Sequence, residues 1–129
     1  MAQPDLIGMV VRDMAAALQF YRLLGLDIPP TMDTERHVEV GLPGGFRIAW
    51  DSLEMIKGID PNWTDPVGQR MTLAFKCESP AAVDALYEHV MKSGYDGHKA
   101  PWDAFWGQRY AVVVDPDGNL IDLFAGLSA

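Results

Sequence analysis

Apolar and polar positions run through this chain in two similar passages. Leu6 to Val11 is a short apolar run of strand length. Asp13 then stands where a helix wants its N-cap. Ala17, Phe20, Tyr21 and Leu24 follow at helical spacing, and Gly25 stops them. Arg36-His37-Val38-Glu39-Val40 alternates as a half-buried strand does, Leu42-Pro43-Gly44-Gly45 turns the chain, and Phe46 to Asp51 predicts the returning strand. The second passage repeats the order. Thr72 to Cys77 reads as a strand, Ser79 caps a helix with Pro80 at its first position, and Val83, Leu86, Tyr87, Val90 and Met91 line one face before Gly94 ends it. An extended piece around His98 to Trp102 precedes strands predicted over Arg109–Val114 and Leu120–Phe124. Gly45 and Gly118 fall at matching hairpin positions, and both helices lead off a strand. The chain is therefore expected to be an internal repeat of one strand–helix–strands unit, with modules at about 1–56 and 70–129 inside a single domain. Ser52 to Arg70, polar and interrupted by Pro61 and Pro66, reads as a helical turn plus linker.

Segregation of helices from antiparallel strands predicts an α+β class. At 129 residues, with 49% hydrophobic and 22% charged, the chain has the size and composition of one globular domain with its own core. No apolar run approaches the roughly 20 residues a membrane helix needs, and Met1 to Asp5 does not read as a signal peptide. The lone Cys77 cannot form an internal disulfide, which fits a reducing, cytoplasmic setting, and its alternating context suggests a packed thiol. A net charge of −8 argues against nucleic acid as a partner. It accommodates neutral or cationic small molecules.

The stretch Asp115-Pro116-Asp117-Gly118-Asn119-Leu120-Ile121-Asp122-Leu123-Phe124 adds a motif with a mechanism. Pro116 presets φ at the first corner, Asp117 bonds locally and Gly118 takes the left-handed position. It closely resembles the last hairpin of the vicinal-oxygen-chelate superfamily, which includes glyoxalases, extradiol dioxygenases and antibiotic-binding resistance proteins. The resemblance extends over nearly the whole chain. It implies a glyoxalase/bleomycin resistance-like fold of two βαβββ modules, each a curved sheet with its helix outside and a concave face towards a ligand cavity.

In the superfamily's metalloenzymes, ligands stand on the first and last strands of each module. Carried onto this sequence, those slots read Leu6, Ala49, Thr72 and Asp122, with Met71 the nearest competitor to Thr72. Leu and Ala cannot coordinate a cation and Thr is a poor lone ligand, so the resemblance implies no standard metal site and no cofactor. His37 and Glu39, two apart on a strand, share one face. A three-residue turn at Asp115–Asn119 would set Val112 opposite Asp122 and bring Tyr110 and Asp122 to the cavity side with them. Such a group could hold a metal, but His-x-Glu on a strand is commonly a hydrogen-bonding pair or a solvated face. Arg47 and Asp51 share the face of Ala49, whereas Trp50 points to the helix layer. No Gly-x-Ser-x-Gly and no glycine-rich phosphate loop occurs.

Trp102, Phe105, Trp106 and Tyr110 place four aromatics within nine residues, and aromatic faces stack on flat ligands. Gly44 to Asp51, Asp60-Pro61-Asn62-Trp63 and Pro101 to Tyr110 look like the mitomycin resistance drug-binding proteins and their relatives. That resemblance implies a homodimer sequestering a planar aromatic or quinone-like ligand at its interface. The site it implies contains Trp106, Trp102, Tyr110, His37 and Glu39, with Asp122, Arg109 and Asp51 as polar anchors. The carboxylates favour an amine-bearing ligand. This reading expects a metal-independent binding protein rather than an enzyme. The alternative is a metal-dependent lyase, isomerase or dioxygenase of the same superfamily with displaced ligands.

Overall fold

The structure is a computed structural model and describes residues 1–127. Two compact units make up the chain, Met1–Asp65 and a second from Pro66 onward. The first contains β1 (Leu6–Val11), α1 (Met14–Leu23), a 3₁₀ turn (Pro30–Thr34), β2 (His37–Gly41), β3 (Arg47–Ser52) and α2 (Leu53–Ile59). The second contains β4 (Leu73–Lys76), α3 (Pro80–Lys92), β5 (Asp96–Ala104), β6 (Gln108–Val114) and β7 (Leu120–Gly126). The fold is α+β, with one curved open sheet per unit, ordered β1-β3-β2 and β4-β7-β6-β5. In each, the first strand runs parallel to the last and the remaining pairs are antiparallel.

The second unit has the full strand–helix–three-strand order. In the first, the 3₁₀ turn at Pro30–Thr34 stands where the second unit has β5. Pro29 and Pro30 lack the N–H groups that a ladder needs, so the segment cannot pair as a strand along its length.

The helices begin and end where their residues require. Asp13 accepts from the Ala16 N–H and Ser79 from the Ala82 N–H. Gly25 and Gly94 adopt φ of +112° and +92° just past the last turns. Each helix covers one face of its own sheet. In the first unit Ala17, Leu18, Phe20 and Tyr21 meet Val11, Val38, Ile48 and Trp50, all buried, and the Tyr21 and Trp50 rings lie 5.4 Å apart. In the second, Val83 and Val90 of α3 are buried with Ala111, Val113, Ile121, Leu123 and Ala125. Strand alternation then leaves Arg47, Ala49 and Asp51 on the face away from α1, and Tyr110, Val112, Asp122 and Phe124 on the face away from α3.

Matching hairpins fix both registers. Leu42 N–H donates to Phe46 O at 2.7 Å, and Asp115 N–H to Asn119 O at 2.9 Å. Each turn is closed by a glycine N–H, from Gly45 or Gly118, and these glycines have φ of +91° and +88°. The predicted opposition of Val112 and Asp122 is present. Its counterpart in the first unit sets Glu39 opposite Ala49. No helix among the described residues is long and apolar enough to cross a membrane.

Candidate functional site

The face of the second sheet turned away from α3 carries two rows of side chains. In one row Ala74, Asp122, Val112 and Lys99 stand in register across β4, β7, β6 and β5. In the next stand Lys76, Phe124, Tyr110 and Trp102. Trp102 joins its row through an irregular stretch of β5, where the pairing shifts between Lys99 and Trp102. Pro101 falls in that stretch, a position where a proline costs the ladder least. The turn after β5 lifts Trp106 against the row. Its ring centroid lies 5.3 Å from Tyr110, 6.1 Å from Trp102 and 5.1 Å from Phe105, in edge-to-face contacts. Tyr110 in turn meets Trp102 edge-on at 5.6 Å and stacks on Phe124 at 6.2 Å. Trp106 is held at its polar end, where Nε1 donates to Gln108 Oε1 at 2.8 Å. It remains 48% exposed, and Phe105 at the loop tip is 97% exposed. The result is a connected aromatic surface with an open side.

Asp122 stands in the row beside these aromatics and is only 8% exposed. The Tyr110 hydroxyl donates to its Oδ2 at 2.5 Å. Removal from water and the neighbouring carboxylate both disfavour a phenolate, so the Tyr110 pKa is pushed up to about 12. Tyr110 is therefore a neutral hydrogen-bond donor at any physiological pH.

The first unit carries a different group on the face away from α1. His37 Nδ1 lies 2.5 Å from Asp51 Oδ1, its register partner, and Nε2 lies 2.9 Å from Glu39 Oε2. Arg47 donates to Glu39 at 2.7 Å and also binds Asp5. Hydrogen bonds donated to Asp51, then to Glu39, favour the imidazolium and raise the His37 pKa above 6.5. Bonds from His37 and Arg47 hold Glu39 below the usual carboxylate range. These five residues form one charged ladder on an exposed sheet face, with Gly8 and Ala49 beneath it.

Within the second unit, the structure brings together Trp102, Trp106, Tyr110 and Asp122. Within the first it groups His37, Glu39 and Asp51. Arg109 joins neither. It precedes Tyr110 on β6, so its side chain leaves the opposite face and reaches α3. There it forms a two-pronged pair with Asp84, at 2.9 and 3.1 Å, and a further bond to Asp103. This corrects its expected role as an anchor beside the aromatics. Phe124, Phe105, Arg47 and Asp5 belong to these groups but were not among the expected site residues. Phe124 could have been found by applying the hairpin register to Tyr110.

The model of the Glyoxalase/Bleomycin resistance protein/Dioxygenase superfamily matches residues 3–123. The chain belongs to that superfamily. Solved structures repeat its fold. A glyoxalase/bleomycin resistance protein/dioxygenase family enzyme from Burkholderia phytofirmans superposes with a TM-score of 0.83 at 21% identity, covering 98% of this chain and 100% of that one. A hypothetical protein from S. aureus gives 0.80 at 18% identity, covering 97% and 95%. A glyoxalase-related enzyme from Fulvimarina pelagi gives 0.78 at 18%, covering 98% and 89%. At these identities the likeness shows the fold. No curated protein matches the chain.

Several enzymes of this superfamily use a metal held by His and carboxylate donors with positions left open for substrate. The residues here do not fit one. Asp122 has Val112 and Ala74 as its register neighbours, and Ala49 has Gly8 beside it on β1. Leu6 pairs instead with Arg47, while Met71 and Thr72 precede β4. Glu39 and His37 are engaged with Arg47, Asp51 and each other. His89 is exposed on α3 and His98 on β5. Among the described residues no three His, Cys, Asp or Glu side chains are grouped to hold a metal ion.

Proposed function

We propose that this member of the superfamily is a metal-independent binding protein for a planar aromatic or quinone-like small molecule, of the drug-sequestering type. The observation that carries the reading is the connected aromatic surface of Trp102, Trp106, Tyr110 and Phe124 on the sheet face away from α3. Flat ligands gain about 0.5–1.5 kcal/mol per aromatic contact beyond the area they bury. Trp106 presents half its surface for such a contact. Its indole is oriented by Gln108, which limits the entropy lost on binding. The sequence motif Pro101 to Tyr110, similar to that of the mitomycin resistance proteins, supports the same reading. It also carries the proposal of a homodimer, in which the exposed Phe105 is a natural residue to be covered.

Tryptophan fluorescence tests the proposal. Titration with a panel of planar quinones and fused-ring aromatics is expected to give saturable quenching at micromolar concentration, lost in Trp106→Ala. A panel without a single quencher, or a Trp106→Ala variant that titrates like the parent, refutes it. Sedimentation equilibrium checks the dimer, with a monomer at tens of micromolar counting against it.

A further inference from the structure

Asp122 has a chemistry that stacking alone leaves unused. The residue is only 8% exposed, and among the described residues its one hydrogen-bonding partner is the neutral Tyr110 phenol, on Oδ2. Charged groups removed from water are normally matched by a cation or fully hydrogen-bonded. Oδ1 has neither. Its neighbours in register are small, Val112 on one side and Ala74 on the other, and Ala74 is exposed. The Tyr110 hydroxyl links the carboxylate to the aromatic row, so ring faces and negative charge form one continuous surface. That surface already holds a cation of the chain's own: Lys99 Nζ sits over the Trp102 ring at 4.6 Å from its centroid.

We propose that the ligand is a flat aromatic cation bearing an N–H donor, a protonated ring amine or amidine. Its ring lies on Tyr110, Phe124 and Trp106, and its N–H bonds Oδ1 of Asp122. The inference rests on the flat-ligand reading and adds charge and donor to it. An acceptor-only ring such as an unsubstituted quinone turns carbonyl oxygens towards a carboxylate and gains stacking alone. A charge-assisted N–H bond to a partly desolvated carboxylate is among the stronger hydrogen bonds available to a protein.

Calorimetric titration of the full chain with three probes of one ring size decides the matter. Acridine is neutral at pH 7.5 and has no N–H. 10-Methylacridinium is a cation without one, and 9-aminoacridine is a cation with N–H donors. The expected order is 9-aminoacridine tightest, by about tenfold over acridine, with 10-methylacridinium between them. In Asp122→Asn the advantage of 9-aminoacridine over acridine falls to within about threefold, because the charge-assisted N–H bond is lost and the new amide can donate to the acridine ring nitrogen. In Tyr110→Phe, which keeps the carboxylate, the preference persists. Equal affinity of acridine and 9-aminoacridine overturns the proposal but leaves the stacking surface standing. Equal affinity of the two cations overturns the N–H bond to Asp122. Absence of both heat and tryptophan quenching with all three overturns the flat-ligand reading and this proposal with it. The wild-type comparisons stand even if Asp122→Asn does not fold.

Discussion

The hairpin that carries Asp122 to its place depends on one carboxylate. Asp115 is 4% exposed. Its Oδ1 accepts from the Asp117 N–H at 2.9 Å and the Asn119 N–H at 2.8 Å, and its Oδ2 accepts from Asn119 Nδ2 at 2.9 Å. Replacing Asp115 by Ala removes three bonds to a charged acceptor and leaves two backbone donors without their side-chain partner. Each such bond is worth about 1.5–3 kcal/mol net, and three that share one acceptor do not add in full, so a loss of about 2–4 kcal/mol is expected. With an unfolding entropy of about 2.1 cal/mol/K per residue, a chain of 129 residues loses about 7–15 °C in Tm. Asp115→Asn keeps an acceptor for both backbone donors and should lose about half as much. Adding Asn119→Ala to Asp115→Ala should cost almost nothing further, because the bond between them is already gone. Scanning calorimetry with urea titration measures all three. A Tm within about 3 °C of the parent for Asp115→Ala refutes the argument that this carboxylate organises the turn.

At Gly97, a Cβ would collide with the Tyr87 hydroxyl of α3 and stand 3.0 Å from Met91 Sδ; Gly97→Ala is expected to cost about 1–3 kcal/mol in urea, most of it recovered in the Gly97→Ala/Tyr87→Ala double variant. His37 has a folded pKa raised above 6.5, so the stability it contributes is full below about pH 6.5 and is lost as pH rises through the folded value. His37→Gln should flatten the urea midpoint over that window, and an unchanged pH profile counts against the ladder. Tyr110 is neutral and bonded when folded, with its pKa raised from 10.0 to about 12. Its contribution is therefore intact below pH 10 and declines from there to about pH 12, a decline that Tyr110→Phe removes.

Much of the fold was legible because local chemistry and hydrophobic period agreed. Asp13, Ser79, Gly25 and Gly94 marked helix ends that hold within a residue or two. Gly118 fixed a turn whose length sets Val112 opposite Asp122. The first hairpin obeys the same arithmetic. Leu42 and Phe46 close it, which places His37 against Asp51. Counting that register from the sequence would have paired them. Period 2 alone separates Arg109 from Tyr110 and sends it to the face of α3. Its attraction to the aromatic motif in sequence hid its partner Asp84, one helix away. The orientation of Trp102 was not legible, because β5 slips register on the way to it and alternation cannot be carried through an irregular stretch. The missing strand of the first unit, by contrast, was written in Pro29-Pro30.

Uptake of ligand on the aromatic surface around Trp106 and Asp122 can be followed through the indole N–H signals of the four tryptophans. Trp50 is fully buried beneath α1 in the first unit, and it serves as an internal control. In ¹⁵N-labelled protein titrated with 9-aminoacridine, the Trp102 and Trp106 signals should shift together and saturate, while Trp50 stays fixed. Binding that moves Trp63 or Trp50 and leaves Trp102 and Trp106 in place would place the ligand elsewhere and contradict uptake on this surface.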